Sequence, residues 1–160
     1  MKPIKEQTEV RRLGLYIGLF KPKDIVAWVD KLIEEADIPD NALVDISLFG
    51  ESKGIIFIIS KFEEVKGVYS KHEPTKVIVQ MLYKSLVEDS SNNNAEKISR
   101  MMFNLTSIDE VLSEDIKQRL YGIDDEFSLT FRGIYGTVEN VIKEMKELLE
   151  EIERGLIREG

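Results

Sequence analysis

The sequence GIIFIISKFEEVK (residues 54–66) decides between two fold classes. Its first half is a run of β-branched and aromatic residues, which is typical of a buried strand. The apolar positions nevertheless keep a helical spacing through the whole segment: they are Ile55, Ile56, Ile59, Phe62 and Val65. No other stretch of the chain resembles a strand that would pair with it, and an unpaired strand leaves its backbone polar groups unsatisfied. We therefore predict a helix here and an all-α fold.

The rest of the chain shows the same helical periodicity. Pro22 opens a helix with one apolar stripe that includes Trp28, which is predicted to belong to the core. The longest helix is predicted from about residue 138 to about residue 157, capped by Thr137. Its inward positions are Val141, Met145, Leu148 and Ile152. The sequence thus predicts a single domain over residues 1–160, a bundle of about seven to eight mostly antiparallel helices.

Local signals predict where several helices begin and end. The polar segment at residues 89–95 reads as a loop. Residues 107–110, Ser-Ile-Asp-Glu, have the form of a capping box that opens a helix. Residues 124–126, three consecutive acids, suit the first turn of another helix, where the helix dipole favours negative charge. Gly14 and Gly18 are predicted to break or end the first helix.

The composition excludes several kinds of chemistry. The 160 residues contain no Cys and one His, which argues against thiol catalysis, disulfides and zinc sites of the Cys/His kind. The single histidine, His72, is predicted to be a solvated loop residue, and no phosphate-binding glycine loop is present. With no targeting signal and no apolar run long enough to span a bilayer, we expect a cytoplasmic protein without a membrane partner.

The chain is acidic, with 30 Asp and Glu against 22 Lys and Arg, a net charge of −8. Such a surface disfavours nucleic acid and favours a basic protein as the partner. Residues 24–64 and 107–160 each carry a net charge of −7. Exposed aromatic residues beside acidic ones suit a protein interface. The predicted partner-binding residues are Glu34, Glu35, Asp124, Asp125, Glu126 and Tyr135.

Carboxylates at helical spacing also suggest a divalent-metal site, because helical bundles can bind Mg²⁺ or Mn²⁺ through such residues. The candidate sets are Glu34, Asp37 and Asp40; Glu110, Glu114 and Asp115; and Glu144, Glu147, Glu150 and Glu151. Basic residues interleave with the last set, which lies away from the apolar face of its helix. All three sets are therefore predicted to be solvated outer faces, and the sequence assigns no metal ligand, cofactor or catalytic residue.

Parts of the sequence resemble a pattern found in small uncharacterised helical proteins of bacteria. The matching stretches cover about a third of the chain and carry no activity with them. They are Gly18-Leu19-Phe20-x-Pro22-x-Asp24-Ile25-Val26-x-Trp28-x-Asp30, Pro39-x-x-Ala42-Leu43-x-Asp45-Ile46-Ser47-Leu48, Asp124-Asp125-Glu126-Phe127-x-Leu129 and Gly133-x-Tyr135-Gly136-Thr137. In size and charge the chain is also similar to immunity proteins, which neutralise a toxin.

Together these features predict a non-enzymatic, acidic protein-binding module that occludes or regulates a partner protein. An immunity protein that neutralises a cognate toxin is one concrete form of this function. Two alternatives stay open: a divalent-metal-dependent hydrolase of the all-helical type, and a structural homodimer that pairs through the 138–157 helix.

Overall fold

A computed structural model describes residues 2–131, 133 and 137–159. Within those ranges the chain forms eight α-helices and no strand, which confirms the all-α prediction. The contacts divide the chain into two compact units, Met1–Ser70 and Lys71–Gly160. The single domain over residues 1–160 stays a prediction.

Unit 1 contains four helices around one apolar core. They are α1 (Ile4–Ile17), α2 (Pro22–Glu35), α3 (Asn41–Lys53) and α4 (Ile55–Glu64). Helix α3 packs against both α2 and α4, and α1 packs against α4. The buried core residues are Leu15, Ile25, Val29, Ala42, Leu43, Ile46, Ile58, Ile59, Phe62 and Val65.

The segment that decides the fold is helix α4. The helix begins directly after Gly54, whose φ of 87° lets the chain turn sharply from α3. Phe62 is completely buried, as the helical spacing predicts, but Ile55 and Ile56 are 40% and 85% exposed. These two residues share the helical spacing but lie in the first turn of α4, at the corner between α3 and α4, which leaves them in contact with solvent.

Trp28 lies at the margin of this core. Its ring meets the ring of Phe62 edge-on, with 6.5 Å between the centroids. The guanidinium of Arg11 stacks on the indole ring, 3.8 Å from its centroid. Burial lowers the pKa of Arg11 to about 10. The tryptophan is thus half-buried and contributes packing rather than an exposed contact surface.

Unit 2 also contains four helices. They are α5 (His72–Glu88), α6 (Asn92–Ile108), α7 (Glu114–Phe131) and α8 (Val138–Glu159). Helix α8 packs against α5 and α7, and α6 packs against α7. The predicted inward positions of α8 are confirmed, since each is at most 4% exposed: Val141, Met145, Leu148 and Ile152. The oxygen of Thr137 accepts a hydrogen bond from the Asn140 amide, which confirms the predicted cap.

Three predicted boundaries in unit 2 are wrong. Ser91 caps α6 through the Asn94 amide, so residues 92–94 begin a helix instead of belonging to a loop. The capping-box segment at residues 107–110 lies at the end of α6, and Ser113 precedes α7. Residues 124–126 lie inside α7, which continues unbroken past Gly122.

His72 is the first residue of α5 and is half-buried, not a solvated loop residue.

Candidate protein-interaction site

Most of the excess negative charge belongs to unit 2. Residues 71–160 contain 18 acidic and 12 basic residues, a net charge of −6, whereas residues 1–70 carry −2. The surfaces between the helices of unit 2 are therefore the candidate sites for a basic partner.

Helices α7 and α8 are antiparallel and meet along a seam with a solvent-exposed, bidentate ion pair at one end. The guanidinium of Arg119 donates two hydrogen bonds to the carboxylate of Glu151, each 2.8 Å long. This bidentate contact is the geometry in which arginine binds carboxylates best. The hydrogen bond with Arg119 lowers the pKa of Glu151. This end of the seam is therefore held by complementary charge.

The other end of the seam brings two carboxyl groups together. Glu126 lies seven residues after Arg119, two turns along α7, and faces Glu144 of α8. Burial raises the pKa of Glu126, and the nearby carboxyl group of Glu144 raises that pKa further. Among the described residues, no cation lies within 4.0 Å of either carboxylate.

An open groove follows the seam between these two contacts. It consists of two adjoining hollows of about 320 and 280 Å³ that share Glu126, Glu144 and Glu147. Gly122 contributes to the opening, because a Cβ added there would meet no atom within 4 Å. The other lining residues are Arg119, Ile123, Thr137, Asn140, Val141, Lys143 and Leu148.

Three carboxylates on an open groove suit a cationic group. A lysine or arginine side chain from another protein would find acceptors on both helices at once. The nearest cation on α8, Lys143, is 4.0 Å from Glu147 and is largely exposed, so it neutralises the groove only weakly.

The structure places the predicted partner-binding residues on separate surfaces. Asp124 and Asp125 line the opposite side of α7, where the carboxylate of Asp124 is 3.7 Å from the Arg100 guanidinium. Glu34 and Glu35 are exposed in the last turn of α2, in unit 1. Tyr135 lies outside the described residues. Among the predicted residues that the structure describes, none lines the α7–α8 groove together with Glu126.

The residues that do meet Glu126 are Glu144 and Glu147, which the sequence places on a solvated outer face. Both are indeed exposed, but they border α7 as well as solvent. The spacing within α8 predicts their face correctly and gives no indication of their partner. Only an unbroken α7 positions Glu126 across from them.

The candidate metal sets do not form a metal centre in the part of the chain that the structure describes. No group of three or more His, Cys, Asp or Glu residues there is arranged to hold a metal ion. Glu110, Glu114 and Asp115 are exposed, as are Glu34, Asp37 and Asp40. From the third set, Glu150 accepts a hydrogen bond from the Tyr83 hydroxyl and Glu151 pairs with Arg119.

No protein-family model, curated protein or solved structure shows a significant match to this chain. Within the described ranges, no helix combines the length and the apolar character needed to cross a bilayer.

Proposed function

We propose that this chain is a non-enzymatic, acidic protein-binding module whose unit 2 binds a basic partner protein and thereby occludes or regulates it. The observation that carries the proposal is the α7–α8 groove, where Glu126, Glu144 and Glu147 line one opening. An immunity protein that blocks a basic toxin is its most concrete form.

The electrostatics of unit 2 support this function in two ways. Its net charge of −6 attracts a basic partner over a distance and raises the association rate. Within the groove, Glu126 and Glu144 have no cation within 4.0 Å among the described residues, so an arginine or lysine from the partner would supply the missing charge.

The face of α8 considered for a homodimer is not free in this structure. Val141, Met145, Leu148 and Ile152 are buried inside unit 2. A second copy could pair through this face only by displacing the packing of these residues inside unit 2. A partner that binds at the groove leaves that packing intact.

Neutralising the groove is expected to slow association with the partner about tenfold at low ionic strength. The variant carries Glu126→Gln, Glu144→Gln and Glu147→Gln. The partner is first isolated with the wild-type chain from an extract of the cells that express it. Association rates of the purified pair are then measured by stopped-flow fluorescence at low and high salt, and the difference should shrink at high salt.

A matched control removes three charges from unit 1 through Glu34→Gln, Glu35→Gln and Asp37→Asn. All three side chains are exposed, and this variant loses three negative charges, as the groove variant does. Its association rate should fall at most about twofold, by general loss of charge. Equal losses in the two variants would contradict a specific groove, and a larger loss in the control would move the contact to α2.

Thermal melts with millimolar Mg²⁺ or Mn²⁺ test the hydrolase alternative. A ligand that binds only the folded state raises its melting temperature. The binding-module proposal predicts no such rise, and a clear rise that Glu110→Gln or Asp115→Asn abolishes would favour the hydrolase.

A further inference from the structure

The corner between α3 and α4 exposes several large apolar side chains. Leu48 and Phe49 lie in the last two turns of α3 and are 67% and 43% exposed. Ile55 and Ile56 follow in the first turn of α4 and are exposed as well. Soluble monomers rarely leave a large contiguous apolar patch uncovered, so such a surface indicates an interaction site. We call these four residues and Phe57 the corner patch.

Contacts between side chains join the two helices across the corner patch. The ring of Phe49 meets the ring of Phe57 edge-on, with 6.5 Å between the centroids. The Nζ atom of Lys53 lies 5.1 Å from the centroid of Phe49 and 5.0 Å from that of Phe57. A single residue, Gly54, separates α3 from α4. The corner patch is therefore a surface of two regular helices and not the tip of a long loop.

The charges at this corner are complementary to those of a second copy. Glu51 and Lys53 are both exposed, and in the part of the chain that the structure describes neither has an ion pair within 4.0 Å. The nearby Lys61 is already paired, 2.9 Å from Asp45 and 3.2 Å from Glu64. In a twofold-symmetric contact both copies use the same surface. Lys53 of each copy can then meet Glu51 of the other.

We propose that the corner patch is the interface of a homodimer, in which two copies of unit 1 pack their exposed apolar side chains together about a twofold axis. Lys53 of each copy pairs with Glu51 of the other. A second copy fits this surface because homodimer interfaces are more apolar than other interfaces and because the chain itself supplies both charges. The interface is separate from the α7–α8 groove and from the buried face of α8, and it does not depend on the proposed function.

Sedimentation velocity of the full chain from about 5 to 500 μM measures the dimer, which we expect to form in this range because the patch is small. Ile56→Asp should abolish dimer formation, since it places a carboxylate from each copy in the apolar contact. The fold tolerates this change, because Ile56 is exposed and an aspartate is favourable in the first turn of a helix. The control Ile38→Asp makes the same substitution at an exposed position between α2 and α3 and should leave the dissociation constant unchanged.

A charge exchange tests the twofold pairing itself. Glu51→Lys and Lys53→Glu should each raise the dissociation constant about tenfold, because like charges then meet twice in every dimer. The double variant restores opposite charges and should return to within about threefold of the wild type. The contact of Lys53 with the rings of its own chain predicts no such rescue. A chain that stays monomeric at the highest concentration, a dimer that persists in Ile56→Asp, or a double variant as weak as the single ones would overturn the proposal.

Discussion

Asp109→Ala is expected to lower the free energy of unfolding by about 3 kcal/mol. The carboxylate is 4% exposed and organises the connection between α6 and α7. One oxygen accepts hydrogen bonds from the amides of Val111 and Leu112, each 2.8 Å long. The other accepts from the hydroxyl of Thr75 on α5, which is itself 2% exposed. Alanine would leave three donors without an acceptor, and two of them are buried.

Chemical denaturation followed by circular dichroism measures this loss. Asp109→Asn retains the oxygen that accepts both amides, and the hydroxyl of Thr75 can turn to accept from the new amide group, so its cost should be about 1 kcal/mol. Glu110→Ala, at the exposed neighbouring position, should change stability by less than about 0.5 kcal/mol. A loss of under about 1 kcal/mol for Asp109→Ala would mean that the three hydrogen bonds are not jointly formed in solution.

Gly14→Ala is expected to destabilise the protein by about 2 kcal/mol, although alanine normally stabilises a helix interior relative to glycine. Gly14 is buried in α1, and the chain folds back over it after Gly18 ends the helix with a φ of 90°. A Cβ at position 14 would lie 2.5 Å from Cε2 of Phe20 and closer still to Cδ2. The ring packs against the core of unit 1, so relieving the clash requires moving an apolar side chain out of place.

Gly155→Ala is the matched control, since Gly155 lies inside α8 and an added Cβ would meet no atom within 4 Å. That variant should gain about 0.5–1 kcal/mol in the same unfolding experiment. Opposite signs for the two substitutions would show that the space around Gly14, not helix propensity, determines the outcome. Stabilisation by both would refute the clash with Phe20.

The all-α fold could be predicted because helical periodicity is a local property. In residues 54–66 the spacing of Ile59, Phe62 and Val65 identifies the buried face correctly, and the same reasoning identifies the buried face of α8. Helix ends are less predictable, because several residues compete to cap each one. The spacing at residues 107–110 suits an N-cap at Ser107, but α6 continues through Ile108, and the helix that follows is capped by Ser113, whose hydroxyl accepts from the Ile116 amide.

The arrangement of the candidate site is even less predictable from the sequence than the helix ends are. The acidic charge follows from the composition alone, and the expectation of a basic protein partner, which stays a prediction, rests on that charge. The carboxylates Glu126, Glu144 and Glu147 come together only because α7 continues past Gly122 and lies antiparallel to α8. Asp124 and Asp125 point to the other side of the same helix, since successive residues are about 100° apart around its axis.

By itself, the sequence determined the helical class, the apolar faces of α8 and of α4 from Ile59 onward, and the sign of the surface charge, because each depends on composition or on spacing within one segment. The tertiary structure decided that α7 lies antiparallel to α8, so that a bidentate ion pair and a pair of like carboxyl groups share one seam. It also decided that Gly14 makes room for Phe20. These features arise from contacts between residues distant in sequence, and no local pattern encodes the distance or the orientation of such a contact.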